Sequence, residues 1–156
     1  MKSMEFNLVA LGGTFDIIHA GHIALLDKGF SISEKVIIGL TSDELAETKG
    51  KKLLNSFQIR HSALESLLKE RFPDTVFEIA KLDDDFGPAV IQGDVSALVV
   101  SEETRNKGEL LNKLRLEQDQ SSVTIIVVPM ILAKDGSRIS TTRIRNSEID
   151  TQGNIC

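Results

Sequence analysis

The chain has 156 residues, enough for one domain with a real core, and its 41% hydrophobic and 26% charged residues are ordinary for a soluble globular protein. A net charge of −5 argues against non-specific nucleic-acid binding, because a polyanion needs a basic surface, yet a local cluster of Lys and Arg could still hold a small anion. Its one cysteine, Cys156, excludes a disulfide within the chain and fits a reducing cytoplasm.

In chain order, "FNLVAL" (6–11) reads as a first strand, followed by the loop "GGTFDIIHAGH" and the helical pattern "HIALLDKGFSIS". A second strand, "KVIIGL" (35–40), leads into the polar stretch "TSDELAETKGKKL". The helix "SFQIRHSALESLLKERF" sets Phe57, Leu64, Leu67, Leu68 and Phe72 largely on one stripe, and Pro73 punctuates its end. Then come the strands "TVFEIA" (75–80) and "SALVV" (96–100), the helix "ETRNKGELLNKLRLEQD" and a last strand, "VTIIVV" (123–128). These strands are near-continuously apolar rather than alternating, which predicts parallel strands covered on both faces. Strand–helix alternation therefore implies an α/β doubly wound, five-stranded parallel sheet in a single domain spanning residues 1–150. The polar tail "NSEIDTQGNIC" is expected to fray, at least over 151–156. The start, "MKSMEFNLVALGG", lacks the pattern of a signal peptide, and "VTIIVVPMILA" is too short to span a bilayer. A cytoplasmic protein without membrane or nucleic-acid partners is the expectation; no sequence feature settles whether it forms a homo-oligomer.

Ligands of open parallel sheets bind beyond the carboxyl ends of the strands, near the point where strand order reverses. Here each unusual polar cluster follows a strand: "GGTFDIIHAGH", "TSDELAETKGKKL", "SEETRNKG" and "AKDGSRISTTRIR" all project from the same edge. Gly12 and Gly13 permit a sharp turn and close approach to a ligand. The loop is neither a Walker A motif nor a dinucleotide fingerprint. With a helix beginning near Ala20, His19 and His22 lie one turn apart and could face one bound group, with Gly21 leaving space beside the anion-favouring first turn. The bland alternative is one capping and one packed histidine. A zinc site is a weaker reading, since a third ligand is lacking and Asp16 need not converge. Read alone, "TKGKK" is a solvated basic loop, and Asp83-Asp84-Asp85 is a turn capping the next element rather than a chelator.

"GGTFDIIHAGH" together with "ISTTRIR" resembles the HxGH nucleotidyltransferase superfamily, which has a Rossmann-like fold. More narrowly, "VIIGLTSDELA", "VVSEET", "LNKLR" and "DGSRISTTRIRNSEIDTQG" look like the archaeal and eukaryotic phosphopantetheine adenylyltransferases. That resemblance implies transfer of AMP from ATP to 4′-phosphopantetheine by in-line attack on the α-phosphorus, with Mg2+ arriving with ATP. It implies that Thr14 orients the attacking phosphate and that His22 and His19 donate hydrogen bonds to the α-phosphate and the leaving pyrophosphate. It also assigns Lys51 to the nucleophilic phosphate, with Lys49 and Lys52 as rivals, and Gly13, Phe15 and Gly21 to the ATP site. Ser140 would cap a helix whose N–H groups at Thr141 and Thr142 meet the β- and γ-phosphates, with Arg143 adding a charged fork and Arg138 a weaker contact. Where bacterial relatives are Arg-rich, this chain has Ser101-Glu102-Glu103-Thr104; Arg105 is carried over as an ATP contact, and Asn112 or Arg115 as ribose or phosphate contacts.

Two alternatives remain open at this stage. One is a cytidylyl- or adenylyltransferase of the same superfamily acting on glycerol 3-phosphate or nicotinamide mononucleotide. The other is a non-catalytic nucleotide-binding regulator.

Overall fold

The computed structural model describes residues 5–84, 86, 94–129, 131–136, 139, 144 and 146–155. Five strands, β1 (Phe6–Gly13), β2 (Ser33–Thr41), β3 (Val76–Leu82), β4 (Ala97–Ser101) and β5 (Thr124–Val128), form one sheet in the order β3-β2-β1-β4-β5. Every neighbouring pair is parallel, as the unbroken apolar runs predict. The crossovers carry α1 (Ala20–Ile32), α3 (Phe57–Arg71) and α4 (Asn106–Glu117).

Each strand feeds two cores because successive side chains point to opposite faces. Val9, Leu11, Val36, Ile38 and Val99 pack with Leu26 and Phe30 of α1 and Leu64 and Leu68 of α3. Leu8, Ala10, Ile37, Leu98 and Val100 pack on the other face, with Leu111 of α4. A run of consecutive apolar residues is therefore two interleaved faces, both buried. The first turn of α4 lies tightly on the sheet: a Cβ at Gly108 would sit 2.5 Å from Ile125 Cδ1.

The chain winds outward from β1 through β2 to β3, then returns to β4 on the other side of β1. That reversal opens a crevice above the carboxyl ends of β1 and β4. Two local features depart from expectation. The polar stretch after β2 contains a short helix, α2 (Asp43–Thr48), capped by Ser42, whose Oγ accepts the N–H of Leu45 at 3.0 Å. The tail does not fray through residue 155: Ile149 is buried and pairs with Ile155. The N–H of Ala20 donates to the Thr151 carbonyl, and that of Lys134 to the Gly153 carbonyl. Composition hides this, because the anchors are backbone groups and one isoleucine among polar neighbours.

Candidate active site

The loop after β1 is held by backbone hydrogen bonds to acidic and basic side chains. Asp16 accepts the N–H groups of Leu54 and Asn55 at 2.9 and 3.0 Å, while Asn55 Nδ2 donates to the Asp16 carbonyl. Both carboxylate oxygens are thus occupied in joining the loop to residues 54–55, a structural task. Arg60, 1% exposed, sits beneath the same loop. Its guanidinium donates to the carbonyls of Thr14 at 2.9 Å, Thr41 at 2.7 Å and Asn55 at 3.1 Å, and to Asp43 Oδ1 at 2.7 Å. Hydrogen bonding to Arg60 holds the Asp43 carboxyl below its ordinary pKa. One planar fork ties together the ends of β1 and β2 and the start of α3.

Between these anchors Phe15 takes a left-handed backbone, φ 49°, unusual for a bulky side chain, and buries its ring 4.7 Å from that of His22. α1 then begins with a reciprocal cap built from two histidines. His19 Nδ1 accepts the N–H of Gly21 at 3.1 Å, and His22 Nδ1 accepts the N–H of His19 at 3.2 Å. The rings stack at 3.9 Å. Because each Nδ1 is an acceptor, the ring proton of each neutral imidazole resides on Nε2. Burial, then the proximity of His19 and Lys51, lowers the His22 pKa to about 3, so the ring is uncharged at neutral pH. Gly21 has a reason beyond room for a ligand: a Cβ there would lie 2.9 Å from His19 Cε1 and 3.1 Å from Nδ1, against the capping ring.

Above the loop lies a cleft with two connected lobes. Both are bordered by Gly13, Thr14, Lys51, Thr104 and Lys107. The larger, about 310 Å³, also takes in Phe15, His19, Gly21, His22, Pro129, Ile131 and Ile139. The smaller, about 100 Å³, is walled by Leu25, Leu45, Leu82 and Phe86 and edged by Lys49. At the junction, Lys51 Nζ donates to Thr14 Oγ1 at 3.0 Å. Burial, then Lys107 and Lys49, pushes the Lys51 pKa below its ordinary value.

Of the residues expected at the site, Gly13, Thr14, Phe15, His19, Gly21, His22 and Lys51 meet in the larger lobe. Lys49 borders only the smaller lobe, and Lys52 lines neither. Arg105, expected to contact ATP, precedes α4 with its side chain exposed and lines neither lobe, whereas Lys107 lines both. Asn112 and Arg115 have partners within the fold. Asn112 pairs with both the N–H and the carbonyl of Val123, and Arg115, 1% exposed, donates to the Ser121 carbonyl at 2.7 Å, so both fasten α4 to the approach to β5. Asp84 accepts the N–H of Phe86, the turn expected of that acidic run; Asp85 lies outside the described residues. Ser140, Thr141, Thr142, Arg143 and Arg138 also lie outside the described residues. Two contributors escaped sequence reading. Arg60 has no signal beyond its spacing from Lys51. Lys107 has one, its place in the first turn of a helix that follows a strand.

Comparison with known proteins agrees with this geometry. Residues 10–147 match the cytidylyltransferase-like family. The chain belongs to that family. It is 40% identical over 151 residues to the phosphopantetheine adenylyltransferase of Methanothermobacter thermautotrophicus, covering 97% of this chain and 90% of that protein. The enzyme of the same name from Pyrococcus abyssi is 38% identical over 153 residues, covering 97% and 96%. A solved structure from Archaeoglobus fulgidus, of unknown function, superposes with a TM-score of 0.71 at 30% identity, covering 79% of this chain and 89% of that one. As a cytidylyltransferase-like protein this chain is a nucleotidyltransferase, and the two-histidine cap at α1 lies within the matched residues.

Proposed function

We propose that the protein transfers AMP from ATP to 4′-phosphopantetheine, yielding dephospho-coenzyme A and pyrophosphate. The observation that carries this reading is the Lys51–Thr14 contact, which stands where the two lobes of the cleft join. A reaction between two phosphates needs such a junction. The larger lobe has donors for a nucleoside triphosphate, and its volume falls at the lower end of ordinary ligand sites. The smaller lobe, lined by Leu25, Leu45, Leu82 and Phe86, suits the uncharged pantetheine arm.

An oxygen of the phosphomonoester attacks the α-phosphorus in line; the new P–O bond forms as the bond to the β-phosphate oxygen breaks and pyrophosphate leaves. The attacking phosphate is already anionic, so no base is required, and neutral His22 has no proton to take. Its role is to donate from Nε2–H, with His19, to the α-phosphate and to the charge growing on the leaving group. Lys51 and the Thr14 hydroxyl hold the nucleophile. Magnesium would enter with ATP, held mostly by phosphates and water.

Pyrophosphate release tests the reading directly. Release from ATP is expected with phosphopantetheine and not with glycerol 3-phosphate or nicotinamide mononucleotide, and CTP should not replace ATP. His22→Ala should lower the rate about 100-fold, the loss of one preorganised donor. Equal release with CTP or with another acceptor would overturn the assignment, and ATP binding without turnover would favour a regulator.

A further inference from the structure

We infer that Lys107 is a further catalytic residue, its ammonium binding the transferred phosphate from the α4 side of the cleft. The inference rests on the phosphate-transfer reading of the site and adds to it a cation carried by a different element. Lys107 borders both lobes, sharing that position with Thr14 and Lys51. The group that passes between the two substrates occupies the same junction.

Lys107 stands among other positive charges. It is the second residue of α4, where a cation opposes the positive end of the helix dipole. It also stands close enough to Lys51 to depress that residue's pKa, and Lys49 adds to the effect. In a protein of net charge −5, Lys49, Lys51 and Lys107 thus border the smaller lobe, and Lys51 and Lys107 its junction with the larger one. A polyphosphate turns each repulsion into an attraction, and the phosphate being transferred collects charge from nucleophile and leaving group alike. With Gly108 tight against Ile125, the first turn of α4 is fixed on the sheet. Arg105, two residues earlier, lines neither lobe.

The test compares wild type, Lys107→Met and Lys107→Arg, by calorimetric binding of ATP and of inorganic tripolyphosphate and by steady-state kinetics. Lys107 is exposed and the methionine keeps the apolar stem, so the melting temperature should not fall. For Lys107→Met, tripolyphosphate binding should weaken about 10-fold or more and kcat should fall by a similar factor, with Lys107→Arg recovering most of both. Binding and kcat within about twofold of wild type would overturn the inference, since a charge-assisted hydrogen bond is worth more than that. If wild type binds tripolyphosphate but does not turn over phosphopantetheine, the substrate assignment fails. A loss of binding in Lys107→Met would then still support a phosphate-contact role.

Discussion

His22 accepts the backbone N–H of His19 through Nδ1 at 3.2 Å, so the start of α1 sets the tautomer of the ring that faces the cleft. The pair of caps fixes the orientation of both rings, and His22 stays uncharged at neutral pH. Of the two readings that the sequence left open, the capping one is seen directly, and both rings border the cleft.

A glutamine at position 22 places an amide near the Nε2 position, whereas asparagine places one near Nδ1. His22→Gln should therefore retain more turnover than His22→Asn, and both more than His22→Ala. The kcat/KM profile of wild type should show no imidazole inflection between about pH 5 and 8, because the free enzyme's His22 titrates near pH 3. An acid limb with a midpoint near 6.5 that vanishes in His22→Gln would contradict a neutral donor.

Stability carries the same signature. His22 titrates at about 3 when folded and near 6.5 when unfolded, so between those values the unfolded chain binds the extra proton. Stability should rise with pH across that window and be lost as pH falls from 6.5 toward 3, by at most on the order of 4 kcal/mol from this group. Urea unfolding of wild type and His22→Gln at pH 4, 5.5 and 7 measures it; the variant should show the shallower pH dependence.

Gly21→Ala tests whether the glycine serves the cap. The new Cβ would press on the His19 ring at 2.9 Å and drive it from its capping rotamer. Loss of the cap should cost about 1 kcal/mol of stability, read by thermal or urea unfolding. Turnover should fall more than ATP affinity does, because a displaced His19 loses alignment rather than access.

Arg60→Met would leave the carbonyls of Thr14, Thr41 and Asn55 without their donor in a buried setting. A loss of about 3 kcal/mol or more in urea unfolding is expected. Arg60→Lys keeps the charge but not the planar fork, so it should fold better than the methionine variant yet still lower kcat through the displaced Thr14. Wild-type kcat in Arg60→Lys would show that Thr14 is positioned by other contacts.

Local pattern determined much of this protein. Apolar runs such as "KVIIGL" imply parallel strands because two faces must be buried, and strand–helix alternation leaves little freedom in how they connect. The rule that loops at one sheet edge carry the ligand then brings Thr14, His19, His22 and Lys51 into one cleft, as the structure finds.

What the sequence could not rank was reach. Arg105 and Lys107 look alike on paper, and the arginine's fork makes it the better phosphate candidate. In the folded protein Lys107 borders both lobes of the cleft and Arg105 neither. Arg60 likewise shows its role only where the ends of β1 and β2 close over it. Chain order and polarity are local properties that a string of residues displays. Helix register against a sheet, and which carbonyls surround a guanidinium, depend on contacts between segments far apart in sequence, so only the folded protein decides them.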